Sequence, residues 1–455
     1  MNKNNKKNKS KDMTVGNQWS TILLFSLPIM GANLLQTLYN LADSVIVGNM
    51  IGANALGAVG LTGSMVWLLT AICTSVGSGV NIAESQFFGA KRETDIKEVI
   101  AVSYLIAVIL SIVMTSLCLI FAKPAIFGFL AAPDEMREES LTYFIIYSFG
   151  IIFQLLYNIT YGILRSHGNS GGALIFLLIS AALNIVLDCI FIGVFKLGVA
   201  GAALATVIAQ AGSAVASIIY LSIFFPELIP SRKYIYAFKA KGLLILKLTI
   251  PITLQLAVNS LGFIVLQRLI NSFGTASIEG YSAMTKIEQL AHIPAQSLNI
   301  AISGFAGQNI GANKEDRAKS GYRTTLKMGI LFSVIIGIIV IVLDKKLLGM
   351  FNISGESLKR GAEHLDILMT FIWVSTITNI TCGFLQGVGD VRVPALSGFV
   401  NLGIRLVLSF MLSVTAVGYR CYFLSMPPAW IITVVFVVLR YRSGKWKKYR
   451  IVACS

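Results

Sequence analysis

The sequence predicts an all-α polytopic membrane protein with twelve transmembrane helices, arranged as two six-helix lobes related by a pseudo-two-fold axis along the membrane normal. Of its 455 residues, 55% are hydrophobic and only 13% are charged, whereas soluble domains carry about 25% charged residues. Apolar runs long enough to cross a ~30 Å bilayer core as helices recur along the whole chain. Blocks of the first half also return, in the same order, in the second half.

The apolar runs are expected to be helices, because they are too long for the strands of a membrane barrel and lack the alternation of such strands. The twelve predicted spans cover residues 21–46, 56–81, 99–121, 141–163, 172–194, 199–225, 243–270, 280–303, 324–343, 365–386, 394–414 and 422–440. No stretch is left over for a soluble catalytic domain. The first run follows a basic tail, but its length and lack of a small-residue cleavage site indicate a retained helix rather than a signal peptide.

Lys and Arg predict the orientation of the spans. If the N-terminus is inside, 26 of the 37 Lys and Arg residues lie on cytoplasmic segments and 8 on outer segments, so the positive-inside rule predicts that both termini are cytoplasmic. Basic tails at 1–18 and 441–455 then flank an N-lobe at 19–225, a cytoplasmic linker at 226–242 and a C-lobe at 243–440. The net charge of +16 reads as a cytoplasmic rim that contacts anionic membrane lipids, so no nucleic-acid partner is predicted.

Three sequence blocks are duplicated between the halves. SLPI at Ser26–Ile29 returns as TIPI at Thr249–Ile252, SQFFGAKRE from Ser85 as GQNIGANKE from Gly307, and NITYGILRSHGN from Asn158 as NITCGFLQGVGD from Asn379. Six spans separate each block from its copy, and because six is even both halves enter the membrane in the same direction. Parallel repeats of this kind place a substrate cavity between two lobes.

Asp43 is a carboxylate toward the end of the first apolar run, in LYNLADSVIVGNMIG. An ionisable group in a bilayer costs several kcal/mol unless it is paired or protonated, so it indicates a functional site. The repeat places apolar Val265 or Leu266 opposite Asp43. The acid is therefore specific to the first half and is not needed merely to build the repeat.

Three further polar residues are expected near the depth of Asp43. Asn184 and Asp188 are four residues apart in the fifth span and so share a helix face, and Thr206 lies at a similar depth in the sixth span. Two carboxyl groups, an amide and a hydroxyl suit Na⁺, and they equally suit a proton held between two carboxylates. The alternative is that Asp43 and Asp188 cap helix ends or make a hydrogen-bonded packing contact.

Other intramembrane residues are weaker candidates. Glu288 and Lys286 are two residues apart, so they do not face each other on a helix. Pairing of Glu288 with a residue of another helix is therefore as good an explanation as a role in substrate binding. Packing is the simpler account of the remaining candidates. The residues considered as cavity-lining are Gln36, Tyr39, Asn40, Gln255, Asn259, Met284 and Glu288.

Pro28 lies inside the first span, and Pro251 is its counterpart in the repeat. A proline in a helix removes one backbone hydrogen bond and allows a bend. Because both copies carry it, a bend that belongs to the fold is the simpler interpretation. A hinge that responds to the charge of Asp43 is the functional one.

The chain resembles the multidrug and toxic compound extrusion (MATE) family, and in particular its bacterial DinF-like members. Four segments carry the resemblance: SLPIMGANLLQTLYNLADSVIVGNMIGANALGAVG, ESQFFGAKR, the NIVLD run at Asn184–Asp188, and LGVAGAALATVIAQ at Leu197–Gln210. The similarity covers nearly the whole chain and both repeats.

The resemblance implies a multi-pass antiporter of the bacterial cytoplasmic membrane. It would act as a monomer without a cofactor and export organic cations and other drugs in exchange for H⁺ or Na⁺ by alternating access. The family's first-lobe cation site matches Asp43, Asn184, Asp188 and Thr206, and its bending proline matches Pro28. The NorM-like branch has a second-lobe site with a glutamate and an aspartate. Here Asn259 and Ser375 stand at those places, so that site is expected to be absent.

Three other functions are weighed against the antiporter. A lipid-linked precursor flippase of a related fold would present a cationic cavity to phosphate, and only Arg268, Lys286 and Arg405 lie inside the predicted spans. A membrane-embedded enzyme or a transporter-derived sensor is disfavoured by the duplicated lobes and the first-lobe acids. No P-loop or metal-ligand motif indicates an enzyme.

Overall fold

The computed structural model describes residues 11–130 and 132–452, and the regular structure in these residues is helical. Residues 1–10 of the predicted basic tail, Ala131, and residues 453–455 at the other end, with Cys454, lie outside the described residues. The five described cysteines are free thiols.

Seven α-helices are formed by the first half of the chain. They are α1 (Gln18–Met50), α2 (Ala53–Gly89), α3 (Glu93–Lys123), α4 (Asp134–Phe149), α5 (Ile151–Ser166), α6 (Gly171–Asp188) and α7 (Gly198–Phe224). Single π-helical turns, Pro124–Phe129 and Cys189–Val194, follow α3 and α6. The predicted linker forms two 3₁₀ turns, Pro226–Leu228 and Arg232–Ala237, and then the first turn of the next helix.

The second half forms seven more α-helices. They are α8 (Phe238–Asn271), α9 (Thr275–Gly311), α10 (Glu315–Gly349), α11 (Gly355–Gly387), α12 (Arg392–Ser413), α13 (Cys421–Leu424) and α14 (Met426–Arg442). A 3₁₀ turn at Gly418–Arg420 precedes α13, and another at Lys445–Tyr449 follows α14.

Ten of the twelve predicted spans coincide with one of these helices or with a consecutive helix and turn, and the spans 141–163 and 422–440 each coincide with two consecutive helices. Over the described ranges, ten helices are long and apolar enough to cross a membrane, or eleven if the bent pair α4 and α5 counts as one span. The predicted eighth span lies in α9, which has 37 residues but carries Glu279, Lys286 and Glu288 and is therefore less apolar. The predicted all-α, multi-pass class is confirmed.

The predicted fourth span, 141–163, is wrong as a continuous helix. It consists of α4 and α5, which meet at Gly150 and are bent by 45°. A Cβ atom at Gly150 would lie 2.6 Å from Oε1 of Gln210 and 3.0 Å from the carbonyl oxygen of Tyr147. Glycine therefore allows α7 to approach the break closely, which an apolar pattern does not reveal.

The chain forms two compact units whose limits differ from the predicted lobes. The first unit contains residues 11–12 and 31–250, and the second contains residues 13–30 and 251–452. The start of α1 therefore belongs to the second unit, and the start of α8 belongs to the first. Pro28 lies close to the division within α1, and Pro251 lies directly at the division within α8.

Packing explains this exchange of helix segments. In the second unit, Ile22, Phe25 and Ile29 of α1 join a buried apolar cluster that contains Phe305 of α9 and Trp446. In the first unit, the start of α8 is held to α3, where Lys241 forms ion pairs with Asp95 and, at 3.3 Å, with Glu98. Thr249 of α8 also lies against Gly79 of α2, since a Cβ at Gly79 would be 2.5 Å from its hydroxyl oxygen.

The repeated N-I-T-x-G block builds the same close helix crossing in each unit. A Cβ at Gly162 of α5 would lie 2.3 Å from the carbonyl oxygen of Gly77 in α2, and a Cβ at Gly383 of α11 would lie 2.4 Å from that of Asn299 in α9. Small residues let membrane helices approach to backbone contact. The duplication of this block therefore has a structural cause that is independent of any ligand.

Candidate functional site

Three helices of the first unit bring the predicted cluster together. Asp43 lies in the second half of α1, Asn184 and Asp188 occupy the last turn of α6, and Thr206 lies in α7. Asn184 and Asp188 are completely buried, Thr206 is 8% exposed and Asp43 is partly buried. The spacing of four residues places Asn184 and Asp188 on one face of α6, as the sequence predicted.

The four side chains make a continuous set of contacts. The carboxyl groups of Asp43 and Asp188 lie close to each other. With its amide turned so that both ends are satisfied, Asn184 donates to Oδ2 of Asp188 at 2.9 Å and accepts from the backbone N–H of Thr206 at 3.2 Å. The Thr206 hydroxyl donates to the carbonyl oxygen of Ala202 at 3.0 Å.

Each acid keeps one buried oxygen without a partner. These atoms are Oδ1 of Asp43 and Oδ1 of Asp188. Ionised carboxylates only accept hydrogen bonds, so two of them share a hydrogen bond only when one carries a proton. The pair therefore suits a shared proton, and its two unpartnered acceptor oxygens equally suit a cation. No group of three or more His, Cys, Asp or Glu that could hold a metal ion occurs within 11–130 and 132–452, so a Na⁺ ion here would also need amide or hydroxyl oxygens.

Tyrosine and glutamine side chains surround the four residues, and the sequence analysis named only Tyr39 among them. The side chain of Tyr39, one turn before Asp43, lies close to that of Thr206. Tyr147 lies 3.3 Å from the Thr70 hydroxyl, which accepts a hydrogen bond from Gln154 at 3.0 Å. Tyr147 also lies close to the side chain of Gln210, one turn after Thr206. That spacing of four residues from Thr206 was the signal that could have found Gln210.

The cavity-lining candidates of α1 are accessible. Gln36 and Asn40 are exposed and lie one turn apart, and Gln36 donates to Oδ1 of Asn40 at 3.2 Å. Tyr39 is partly buried and contacts the cluster, as described above.

The candidates of the second unit have different surroundings. Gln255 is partly buried, and the side chain of Asn259 lies outside the described residues. Met284 is fully buried in the apolar core of this unit, so it is a packing residue and the expectation that it lines a cavity is wrong. Glu288 faces His292 at 3.7 Å, and Ser375 is buried and donates to the carbonyl oxygen of Ile372.

A second buried polar group occupies the opposite end of the first unit's helices, where α2 and α5 end. Ser166 donates to Oε2 of Glu84 at 3.0 Å, and Nδ1 of His167 lies 3.9 Å from the same oxygen. Burial lowers the pKa of His167 to about 4, although its hydrogen bond to the Ile163 carbonyl acts in the other direction. His167 is therefore neutral at pH 7.

Comparisons with known proteins agree with these observations. A family model described as MatE matches residues 28–190 and 251–411. The chain is 27% identical over 449 residues to the probable multidrug resistance protein YpnP of Bacillus subtilis (strain 168), with 97% of this chain and 99% of the relative covered. It is 24% identical over 403 residues to the multidrug export protein MepA of Staphylococcus aureus (strain MSSA476), with 88% and 89% covered.

Solved structures show the same fold. A crystal structure of MATE in complex with MaL6 superposes with a TM-score of 0.87 at 21% identity, covering 97% of this chain and 99% of that chain. The two segments matched by the family model fall in the two halves of the sequence, in agreement with the internal duplication.

Proposed function

Because this chain belongs to the multidrug and toxic compound extrusion (MATE) family, and is therefore a multidrug efflux transporter rather than an enzyme, we propose that it is a secondary active antiporter. It exports organic cations in exchange for protons, which bind at Asp43 and Asp188. The relatives are multidrug resistance and multidrug export proteins, and the acidic character of the first-unit cluster favours cations among such drugs.

The observation that carries this proposal is the contact between the carboxyl groups of Asp43 and Asp188. A proton shared between the two carboxyl groups favours this arrangement. When that proton leaves, the two negative charges repel each other, which disfavours the approach of Asp43 in α1 to Asp188 in α6. Proton binding thereby changes the relative stability of two arrangements of the first unit, which is what coupling requires.

Exchange follows if the drug and the proton favour different arrangements. A ligand that binds both states equally shifts nothing, so only a differential affinity can drive transport. A cationic drug favours the deprotonated, negatively charged cluster, and a proton that enters the cluster favours release of the drug. The drug and the proton therefore compete because each favours a different charge state of Asp43 and Asp188.

The hinge that we propose is Pro28. The helix α1 starts in the second unit and continues in the first, and Pro28 precedes that division by two residues. A proline weakens the helical hydrogen-bond ladder at such a point. A change at Asp43 can then alter the bend of α1. We also propose that both termini are cytoplasmic, that the basic rim contacts anionic lipids, and that the protein acts as a monomer.

Proteoliposomes loaded with ethidium test the proposal under separately imposed gradients. We expect a pH gradient at equal Na⁺ to drive transport, and Asp43→Asn to abolish it while leaving the protein folded. Asp344→Asn, an acid at the end of α10 whose carboxylate accepts from the backbone N–H of Lys345, is the matched control and should transport normally. Transport driven by a Na⁺ gradient alone would identify Na⁺ rather than the proton as the coupling ion. Absence of transport under both gradients would contradict the antiporter proposal.

A further inference from the structure

A buried acid that the proposed exchange does not use lies near the end of α2. Glu84 is completely buried and lies five residues before Gly89, the last residue of α2, which is about 8 Å along a helix axis. Asn81, about one turn before it, and Ser85, directly after it, are buried as well. Among the described residues, Oε1 of Glu84, Oδ1 of Asn81 and Oγ of Ser85 have no hydrogen-bond partner. A buried polar group without a partner is costly, so packing alone does not explain this acid.

The internal duplication shows that the fold does not require the acid. The duplicated blocks place Ala306 opposite Glu84 and Val388 opposite His167. Ala306 and Val388 are fully buried in the apolar cluster of the second unit. The second unit therefore builds these positions with apolar side chains. As with Asp43, the acid is specific to the first half of the chain.

The hydrogen bonds of Ser166 favour a protonated Glu84. The hydroxyl oxygen of Ser166 lies 3.0 Å from Oε2 of Glu84 and 2.7 Å from the carbonyl oxygen of Ile163. A serine hydroxyl has one hydrogen, so an ionised Glu84 competes with Ile163 for it. A protonated Glu84 donates to Ser166 and leaves that hydrogen to Ile163.

Within the described ranges, no Lys or Arg forms an ion pair with Glu84. Nδ1 of His167 lies 3.9 Å from Oε2 of Glu84, but this nitrogen donates to the carbonyl oxygen of Ile163 at 2.9 Å and the imidazole is neutral at pH 7. Arg165 lies over the ring of Tyr161, 4.2 Å from its centroid. A buried carboxylate without a counter-charge is neutralised by taking up a proton.

The charged and titratable groups of the neighbouring helices have other partners. The hydroxyl of Tyr104 in α3 lies 2.7 Å from that of Thr160. Lys241 of α8 lies over the ring of Phe87 at 4.5 Å and forms ion pairs with the two acids of α3 described above. These groups therefore do not supply Glu84 with a counter-charge.

A chain of contacts leads from Glu84 to the surface. The backbone N–H of Lys11 donates to the carbonyl oxygen of His167 at 3.0 Å. Gly168 has a φ of +75°, and a Cβ there would collide with the carbonyl oxygen of Lys11. Lys11 and Asp12 are exposed and carry opposite charges. Glu84 is thus connected through His167 to an exposed segment, where a proton can reach or leave water.

We infer that Glu84 is a second proton-binding residue, which exchanges its proton with the aqueous phase at the end of the first unit where α2 and α5 finish. On release, the O–H bond of the carboxyl group breaks, the proton passes to water, and the carboxylate accepts a hydrogen bond from Ser166. Ser166 and His167 position the carboxyl group. Only the role of Glu84 in transport rests on the proposed antiport: this end is cytoplasmic in the proposed orientation, so imported protons leave here.

Infrared spectroscopy of the purified full chain tests this inference, because a protonated carboxyl group has a carbonyl stretch that a carboxylate lacks. Spectra are recorded from pH 6 to pH 9 without a drug or a gradient. One component of this band should decrease as the pH rises and should be missing in Glu84→Gln. Glu93→Gln, at an exposed acid in the first turn of α3, should retain that component. Asp43→Asn, which removes the other proposed proton site, should retain it as well.

A second variant keeps the acid but removes its partner. Ser166→Ala should shift the frequency of the same component, and it decides the question if Glu84→Gln does not fold. Three results would overturn the inference: a native spectrum in Glu84→Gln, a component that stays constant from pH 6 to pH 9, or an unshifted component in Ser166→Ala.

Export from proteoliposomes tests the role in transport. Glu84→Gln should bind ethidium as the native chain does, because the Asp43 cluster lies at the other end of the helices, but it should lose most of its export driven by a pH gradient. Glu84→Asp keeps a titratable carboxyl group and should retain part of that export. Native export by Glu84→Gln would contradict this role. If the native chain exports under no gradient, the antiport is rejected, and the infrared result still decides whether Glu84 binds a proton.

Discussion

Asp43 of α1 and Asp188, the last residue of α6, bring their side-chain carboxyl groups close together. Two ionised carboxylates have no hydrogen to share, so a hydrogen bond between them requires that one carries a proton. Asn184 donates a hydrogen bond to Asp188. The charge of the pair therefore affects how closely Asp43 of α1 approaches Asp188 of α6.

Replacing Asp188 by asparagine should remove the pH dependence of drug binding. The amide can donate to Asp43 at every pH, so the contact no longer needs a proton. In the native protein, ethidium should bind more weakly at pH 6 than at pH 8, whereas Asp188→Asn should bind equally at both. Export should fall about tenfold or more, within the usual range of coupling between two ligands.

Fluorescence anisotropy of ethidium at the two pH values measures this effect. Asp134→Asn, at a position whose side chain is 85% exposed, is the matched control and should behave as the native protein. A pH dependence that survives in Asp188→Asn would show that the titrating group lies elsewhere.

Replacing Pro28 by alanine should slow export without preventing drug binding. Alanine restores the missing backbone N–H and favours a straighter helix near the point where α1 passes from the second unit to the first. Export rates in proteoliposomes should fall while the ethidium dissociation constant changes little. Pro124→Ala, at the start of the π-helical turn after α3, serves as the control. Equal export by Pro28→Ala and the native chain would make the proline a structural residue only.

Replacing Gly162 by alanine should destabilise the first unit. The new Cβ would lie 2.3 Å from the carbonyl oxygen of Gly77, which is backbone and cannot move aside like a flexible side chain. Overpacking of this kind costs about 1–3 kcal/mol. Gly383→Ala should have the same effect in the second unit, where the distance is 2.4 Å.

Melting followed by fluorescence-detected size exclusion measures the change. The control is Gly60→Ala in α2, because a Cβ there meets no atom within 4 Å. It should leave the apparent Tm unchanged or raise it slightly, since alanine favours a helix. An apparent Tm of Gly162→Ala equal to that of Gly60→Ala would contradict the close crossing.

His167 should make the stability of the protein depend on pH below neutrality. Burial lowers the pKa of His167 from 6.5 to about 4, so the unfolded chain takes up this proton first as the pH falls. Its contribution is present above pH 6.5 and is lost between pH 6.5 and 4, by about 3 kcal/mol at most. The variant His167→Gln cannot take up that proton.

Apparent melting temperatures at pH 7 and pH 5 measure this contribution. The difference between the two values should be smaller in His167→Gln than in the native chain. The same pH response in the native chain and in His167→Gln would exclude His167 as its source.

Much of the fold could be predicted because membrane insertion is a local property of the sequence. A run of about 20 apolar residues must satisfy its own backbone, so each run became helical, as one helix, a helix with a turn or two consecutive helices. The duplicated blocks predicted two related halves. Helical spacing likewise placed Asn184 and Asp188 on one face, because that relation depends on four consecutive peptide units and on nothing further away.

Other features depend on contacts between distant parts of the chain. The break at Gly150 depends on the approach of Gln210 from α7. The assignment of residues 13–30 to the second unit depends on packing with α9. Neither contact can be predicted from the hydropathy of the segment that it affects.

The sequence by itself determined the helices, the number of membrane spans and the internal duplication. It also determined that the two acids of the candidate site, Asp43 and Asp188, occur in the first half only. Each of these follows from composition and spacing along one segment. The tertiary structure alone decided that Asp43 lies close to Asp188, that tyrosines and glutamines of three other helices surround them, and that Met284 is core. These relations depend on how helices cross, and crossing angles and distances are set by side-chain packing between segments that are far apart in the chain.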